Sequence, residues 1–135
     1  QEWALLIFAP PGAYDGIAYL TGRKIGKHKV LALKRISPNK TWEGTFFGFL
    51  ASFSLGILIL RLKFSYLEFW QIILVALIIT TCAILGDLVV SKFKRIMQVK
   101  DSGTILRGHG GILDRLSSQI LTGCGIFLLA TFWFL

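Results

Sequence analysis

A chain of 135 residues has room for one modest domain. Its hydrophobic content of 54% and mean hydropathy of +0.67 exclude an ordinary water-soluble fold as the first expectation. The net charge of +8, from fifteen Lys and Arg against seven Asp and Glu, then points to anionic headgroups or a phosphorylated substrate, with no nucleic-acid partner.

The first element is Trp3 to Leu20. It opens with the apolar run "WALLIF", meets "APPG", and resumes as "AYDGIAYL". Two prolines and a glycine do not continue an ordinary helix, so the segment reads as a broken membrane helix or the tail of a longer span. A carboxylate beside such a break is a site candidate, which singles out Asp15. Gln1 at the start and Met97 as the sole methionine lead to the expectation of a partial or processed chain.

Gly22 to Gly44 follows as "GRKIGKHKVLALKRISPNKTWEG", a basic stretch suited to an anionic headgroup or a triphosphate. The phosphate-loop pattern G-x-x-x-x-G-K-[ST] is absent from it. Ser37-Pro38 starts a turn, and a helical span is predicted to begin near Lys40 or Thr41, with Trp42 as an interfacial anchor. Glu43 is costly just inside an uncharged span and so is a suspect; pairing with Lys40 is its plain structural explanation.

Three apolar runs complete the chain: Thr45 to Leu60, Leu67 to Val90 and Ile120 to Leu135. Three runs near the length that crosses a bilayer favour an all-α, polytopic integral membrane protein with three to four transmembrane helices. Cys82 and Cys124 sit apart inside two of them and are expected to be buried, reduced thiols.

The cations divide unevenly between the loops. Thr21 to Thr41 carries seven (Arg23, Lys24, Lys27, Lys29, Lys34, Arg35, Lys40), the next turn two (Arg61, Lys63), and Ser91 to Gln119 six (Lys92, Lys94, Arg95, Lys100, Arg107, Arg115). Two spans separate the two rich loops, which puts both on one side of a cell membrane, the cytoplasmic side by the positive-inside bias.

The chemistry-bearing residues cluster after the second run. In "GDLVVSKFKR", Asp87, Ser91, Lys94 and Arg95 fall near one face if the helix runs on past the membrane boundary. A carboxylate there suits a divalent metal and the cations suit phosphate oxygens; an internally paired, snorkelling basic cluster is the plain alternative. "KDSGTILRGHGGILDR" then supplies four glycines able to turn backbone N–H groups toward an anion. It also supplies Lys100, Asp101, Asp114 and Arg115, and a loop return would bring Asp114 toward Asp87 with a shared magnesium relieving their repulsion. His109 stands open between a phosphate ligand, an acid/base and a turn residue with no chemical task.

"SKFKRIMQVKDSGTILRGHGGILDR" strongly resembles the signature of CDP-diacylglycerol synthases, also called phosphatidate cytidylyltransferases. Ser91, Lys94, Arg95, Lys100, Asp101, Gly103, Gly108, His109, Gly110, Gly111, Asp114 and Arg115 fall in place, and "GRKIGKHK", "ISPNKTWEG" and Asp15 resemble the family's upstream segment. The resemblance implies a many-helix membrane enzyme that condenses CTP with phosphatidate, giving CDP-diacylglycerol and pyrophosphate with Mg2+. It implies Asp87 and Asp114 as metal ligands, Lys94 and Arg95 beside them as catalytic cations, and Lys40, Ser91, Lys100, Asp101, His109 and Arg115 as substrate-binding. It also implies that residues 1–135 are the C-terminal catalytic part, with N-terminal helices missing. Arg107 replaces the usual proline and Ser117 the usual final aspartate.

Three matters stay open at this level. One is a CTP-dependent polyprenol or phytol kinase, and another is an inactive lipid-binding remnant. The third is whether the chain forms a homodimer.

Overall fold

Local sequence marks where the helices begin and end. The computed structural model describes residues 2–30, 36–98 and 112–134, the side chains of residues 112–115 and 132–134 excepted. Within them run four helices: α1 (Glu2–Lys24), α2 (Trp42–Lys63), α3 (Phe69–Ile96) and α4 (Ile112–Phe134). The all-α expectation holds for the described residues. The expected start of α2 also holds: Thr41 is its N-cap, and its Oγ1 accepts the Gly44 N–H at 3.2 Å. At α3, Glu68 and Gln71 form a reciprocal capping box, with the Glu68 N–H donating to Gln71 Oε1 at 2.8 Å. Gln98, at φ 57°, turns the chain out of α3.

The expected break in the first element is absent. α1 is continuous through Pro10 and Pro11. The prolines remove the bonds that residues 10 and 11 would make to the carbonyls of Leu6 and Ile7. Packing outweighs that loss, because Leu6, Pro10, Pro11 and Tyr14 form one buried stripe along the helix.

Small residues set how closely the helices approach. Gly44, Gly48, Ser52, Gly56 and Leu60 recur every fourth residue down the buried face of α2. A Cβ at Gly48 would lie 2.9 Å from both Tyr14 Cδ2 and Ala18 Cβ, so α1 and α2 meet almost backbone to backbone. Further along, the Ser52 and Thr80 hydroxyls are 3.4 Å apart between α2 and α3. At the α3–α4 crossing, a Cβ at Gly86 would lie 2.6 Å from the Ser117 carbonyl oxygen.

One end of the bundle is an apolar core of Leu6, Leu60, Phe64, Ile72, Val75, Ala76, Ile79 and Ile126. Trp3 leans on Phe64 there with ring centroids 4.7 Å apart. By length and composition α2 and α3 can each cross a bilayer, and among the residues whose side chains are described α4 is apolar over Leu116–Thr131. Only 22% of the apolar window of α2 and 39% of that of α3 is buried in the fold, so most of their apolar surface points outward. The same geometry corrects the expectation for the thiols. Cys82 is half-buried beside Gly125, but Cys124 is exposed, because a helix apolar all round still turns one face away from its neighbours.

Candidate functional site

The polar end of the bundle is assembled from four elements. The segment between α1 and α2 is pinned by an isolated antiparallel bridge between Lys29 and Thr41, with Val30 N–H donating to the Lys40 carbonyl (3.1 Å) and Trp42 N–H to the His28 carbonyl (3.0 Å). That clasp fixes the backbone on either side of Lys40. The Lys40 side chain turns inward, and its Nζ lies 2.6 Å from Asp87 Oδ2 on α3. The same ammonium reaches the Tyr14 hydroxyl of α1 at 3.4 Å and stands 5.6 Å from the centre of that ring. Burial works against the charge on Lys40, but the Asp87 carboxylate overcomes it with help from Tyr14, raising the lysine above its ordinary value of 10.5. Lys40 is therefore an ammonium at neutral pH.

Asp15 joins the group from the next position of α1. Its Oδ2 accepts a hydrogen bond from Ser118 Oγ of α4 at 2.9 Å, tying the first helix to the last. Tyr14, Asp15, Lys40 and Asp87 line one cavity of about 200 Å³, whose wall includes Ser37, Asn39, Thr41 and Thr45. A second cavity of about 330 Å³ shares Ala18, Tyr19, Asn39 and Thr41 with the first and carries two more cations, Arg23 and Lys29. Acidic oxygens and an internal ammonium thus stand beside a basic recess.

α3 does run on through the basic cluster, the condition on which the shared face of these residues depended, and it ends at Ile96. Asp87, Ser91 and Lys94 are half-buried along one stripe, while Val89, Phe93 and Ile96 on other faces are exposed. Arg95 is exposed, and its Nε donates to the Ile36 carbonyl at 3.2 Å, holding the end of α3 to the segment before α2.

Two pairings differ from the plain structural alternatives. Glu43 does not pair with Lys40. His28 donates its backbone N–H to both Glu43 carboxylate oxygens (3.2 and 3.3 Å), and its Nδ1 lies 2.6 Å from Oε1. Asp87, in turn, pairs with Lys40 from the segment before α2. The cause is the clasp: it brings His28 over the start of α2 and directs the next inward side chain at α3.

Other candidates are reached only in part. Asp114 and Arg115 belong to α4, but their side chains lie outside the described residues, as do Lys100, Asp101 and His109 altogether. The proposed approach of Asp114 to Asp87 is therefore outside what the structure describes. Tyr14 and Ser118 were not singled out from the sequence. A tyrosine next to Asp15 and a serine next to Ser117 carry no spacing signal, and only the helix crossings reveal them.

The donor chemistry suits a hard divalent cation. Asp87 and Asp15 line one cavity whose wall also includes Ser37, Thr41 and Thr45. Among the described residues no group of three or more His, Cys, Asp or Glu forms a closed metal cage, so an ion there would keep water or substrate oxygens.

Residues 2–133 match the profile described as the Cytidylyltransferase family. The chain belongs to the cytidylyltransferase family. It is 48% identical over 104 residues to a protein of Staphylococcus epidermidis named phosphatidate cytidylyltransferase, covering 77% of this chain and 39% of that one. A protein of the same name from Staphylococcus haemolyticus is 50% identical over 104 residues, with the same shares covered. One from Staphylococcus saprophyticus is 45% identical over 117 residues, covering 87% of this chain and 44% of the relative. The matched part of this chain thus spans about two fifths of the length of these curated relatives. Of the two signature positions where this member departs from the pattern, Arg107 lies outside the described residues. Ser117 is buried at the α3–α4 crossing, its carbonyl facing Gly86.

Proposed function

We propose that this chain is the C-terminal catalytic part of a membrane-embedded phosphatidate cytidylyltransferase. It would transfer the cytidylyl group of CTP to phosphatidate, giving CDP-diacylglycerol and pyrophosphate in phospholipid biosynthesis. The observation that carries the reading is the convergence of Tyr14, Asp15, Lys40 and Asp87 on one cavity, in a chain whose next forty residues hold the family signature.

The reaction asks little covalent work of the protein. A phosphate oxygen of phosphatidate attacks the α-phosphorus of CTP, a new P–O bond forms, and the bond to the β-phosphate breaks to release pyrophosphate. The task of the site is to align the two anions and neutralise charge. Asp87 and Asp114, with Asp15 in the same cavity as Asp87, would hold Mg2+, which when bound supplies charge neutralisation on the phosphates. Lys94 and Arg95 would meet the reacting phosphates from the end of α3. Lys40, Ser91, Lys100, Asp101, His109 and Arg115 would bind and orient the substrates.

α2 and α3, with α4 and α1 beside them, would sit in the cell membrane as a multi-pass bundle. Their basic loops would face the cytoplasm, so that CTP enters from water and the lipid from the side. The test is Asp87→Asn in the full-length protein, assayed in detergent with radiolabelled CTP, phosphatidate and Mg2+. CDP-lipid formation falls by about 10²–10³-fold if the carboxylate organises transition-state charge. Near-normal turnover in that variant would remove Asp87 from the reaction.

A further inference from the structure

Lys40 holds one carboxylate oxygen of Asp87, where its charge competes with any divalent cation. We infer that Lys40 is a resident counter-ion: it holds the Asp87 carboxylate when no ligand is present and leaves it for a nucleotide phosphate when cation and nucleotide arrive together. The inference rests on the reading of Asp87 as a metal ligand and concerns the order and coupling of loading.

Three observations carry it. The first is the 2.6 Å contact of the ammonium with Asp87 Oδ2, which sets a full positive charge against the carboxylate that a metal would coordinate. A divalent cation sits about 2.0–2.1 Å from its oxygen ligands when it is Mg2+, and a second positive charge beside it is repelled. The second is the shelter of the pair: the side chains of Lys40 and Asp87 are only 15% and 29% exposed, so solvent screens this contact less than a surface pair. The third is the wall to which Lys40 is attached. Its neighbours Asn39 and Thr41 border both cavities, and the second contains Arg23 and Lys29 and so suits phosphate oxygens. A lysine is a point charge on a four-carbon stem, able to turn from one oxygen partner to another without moving the backbone clasp around it. Tyr14 lies beside the ammonium and keeps an oxygen near it on leaving Asp87.

The consequence is thermodynamic. The cation alone must displace an ammonium that has nowhere equally good to go, so it binds weakly. With the nucleotide present, the ammonium gains an anionic partner, and each ligand strengthens the other's binding by the same factor. An enzyme loaded this way does not hold a bare divalent cation.

Purified protein in detergent, without lipid acceptor, is titrated with Mn2+ and read by electron paramagnetic resonance, with and without CTP at matched free Mn2+. Lys40→Gln binds Mn2+ alone about tenfold more tightly than wild type, and CTP improves its Mn2+ affinity less than it improves that of wild type. Lys40→Arg keeps the charge and grips the carboxylate with a planar fork, so it binds Mn2+ alone no better than wild type. The inference is overturned if Lys40→Gln binds Mn2+ alone no more tightly, if CTP helps both proteins equally, or if Lys40→Arg binds more tightly. Asp87→Asn is the separate control. Loss of Mn2+ binding there in the presence of CTP supports Asp87 as the ligand, whereas unchanged binding defeats that reading itself and with it the role of Lys40.

Discussion

The two ends of the bundle are built on opposite rules. At one end Leu6, Leu60, Phe64, Ile72 and Ile79 fill space with large apolar side chains. At the other, glycines bring backbones together, and the contacts are an ion pair, a phenol and a hydroxyl–carboxylate bond reaching across four elements. The first end owes its stability to volume. The second gives up packing volume to hold charged groups in fixed relation, which is what the proposed transfer between two polyanions would require. Substitutions at the first end should therefore change how stable the protein is, and those at the second how well it turns over.

The largest effect on stability is expected from Leu60→Ala, where a side chain 1% exposed leaves a hole in the apolar core. The cost is about 2–5 kcal/mol, read as a fall in thermal midpoint in detergent. Turnover per folded molecule stays near wild type, and a parallel loss of turnover would show that the ends are not separable. Gly86→Val comes next. The new side chain meets the Ser117 backbone and Leu121, costing about 1–3 kcal/mol. Because it displaces α4 from the residue preceding Asp87, this variant loses turnover as well as stability, and normal kinetics in it would break the link between the crossing and the site. The smallest effect belongs to Ser118→Ala, which deletes a fully buried hydroxyl and its bond to Asp15. It costs about 1 kcal/mol of stability and lowers CDP-lipid formation more than it lowers the melting point. The reverse ranking would make Ser118 a packing residue.

Much of this was legible in the sequence wherever a local rule governs. The start of α2 near Thr41, the shared face of Asp87, Ser91 and Lys94 on a continuing α3, and the family signature all depend on neighbours a few residues apart. The pairings were not legible. Lys40 and Glu43 are well spaced to pair along a helix, yet the clasp at Lys29 and Thr41 gives Glu43 to His28 and sends Lys40 to another helix. The Ser118–Asp15 bond joins residues 103 positions apart, a distance over which no periodicity speaks. The prolines of α1 misled for a related reason: propensity describes an isolated segment, and the buried stripe from Leu6 to Tyr14 holds this one straight through them.

The glycines divide the molecule for anyone wishing to toughen it. At Gly12, Gly16 and Gly123 an added methyl group would meet no atom within 4 Å, whereas at Gly48, Gly86 and Gly125 it would strike a neighbour. Alanine at the three open sites should rigidify α1 and α4 by about 0.5–1 kcal/mol apiece through helix preference alone. Such a hardened variant, with the residues of the polar cavity unchanged, is the natural starting material for crystals or cryo-microscopy grids of the protein with the proposed nucleotide.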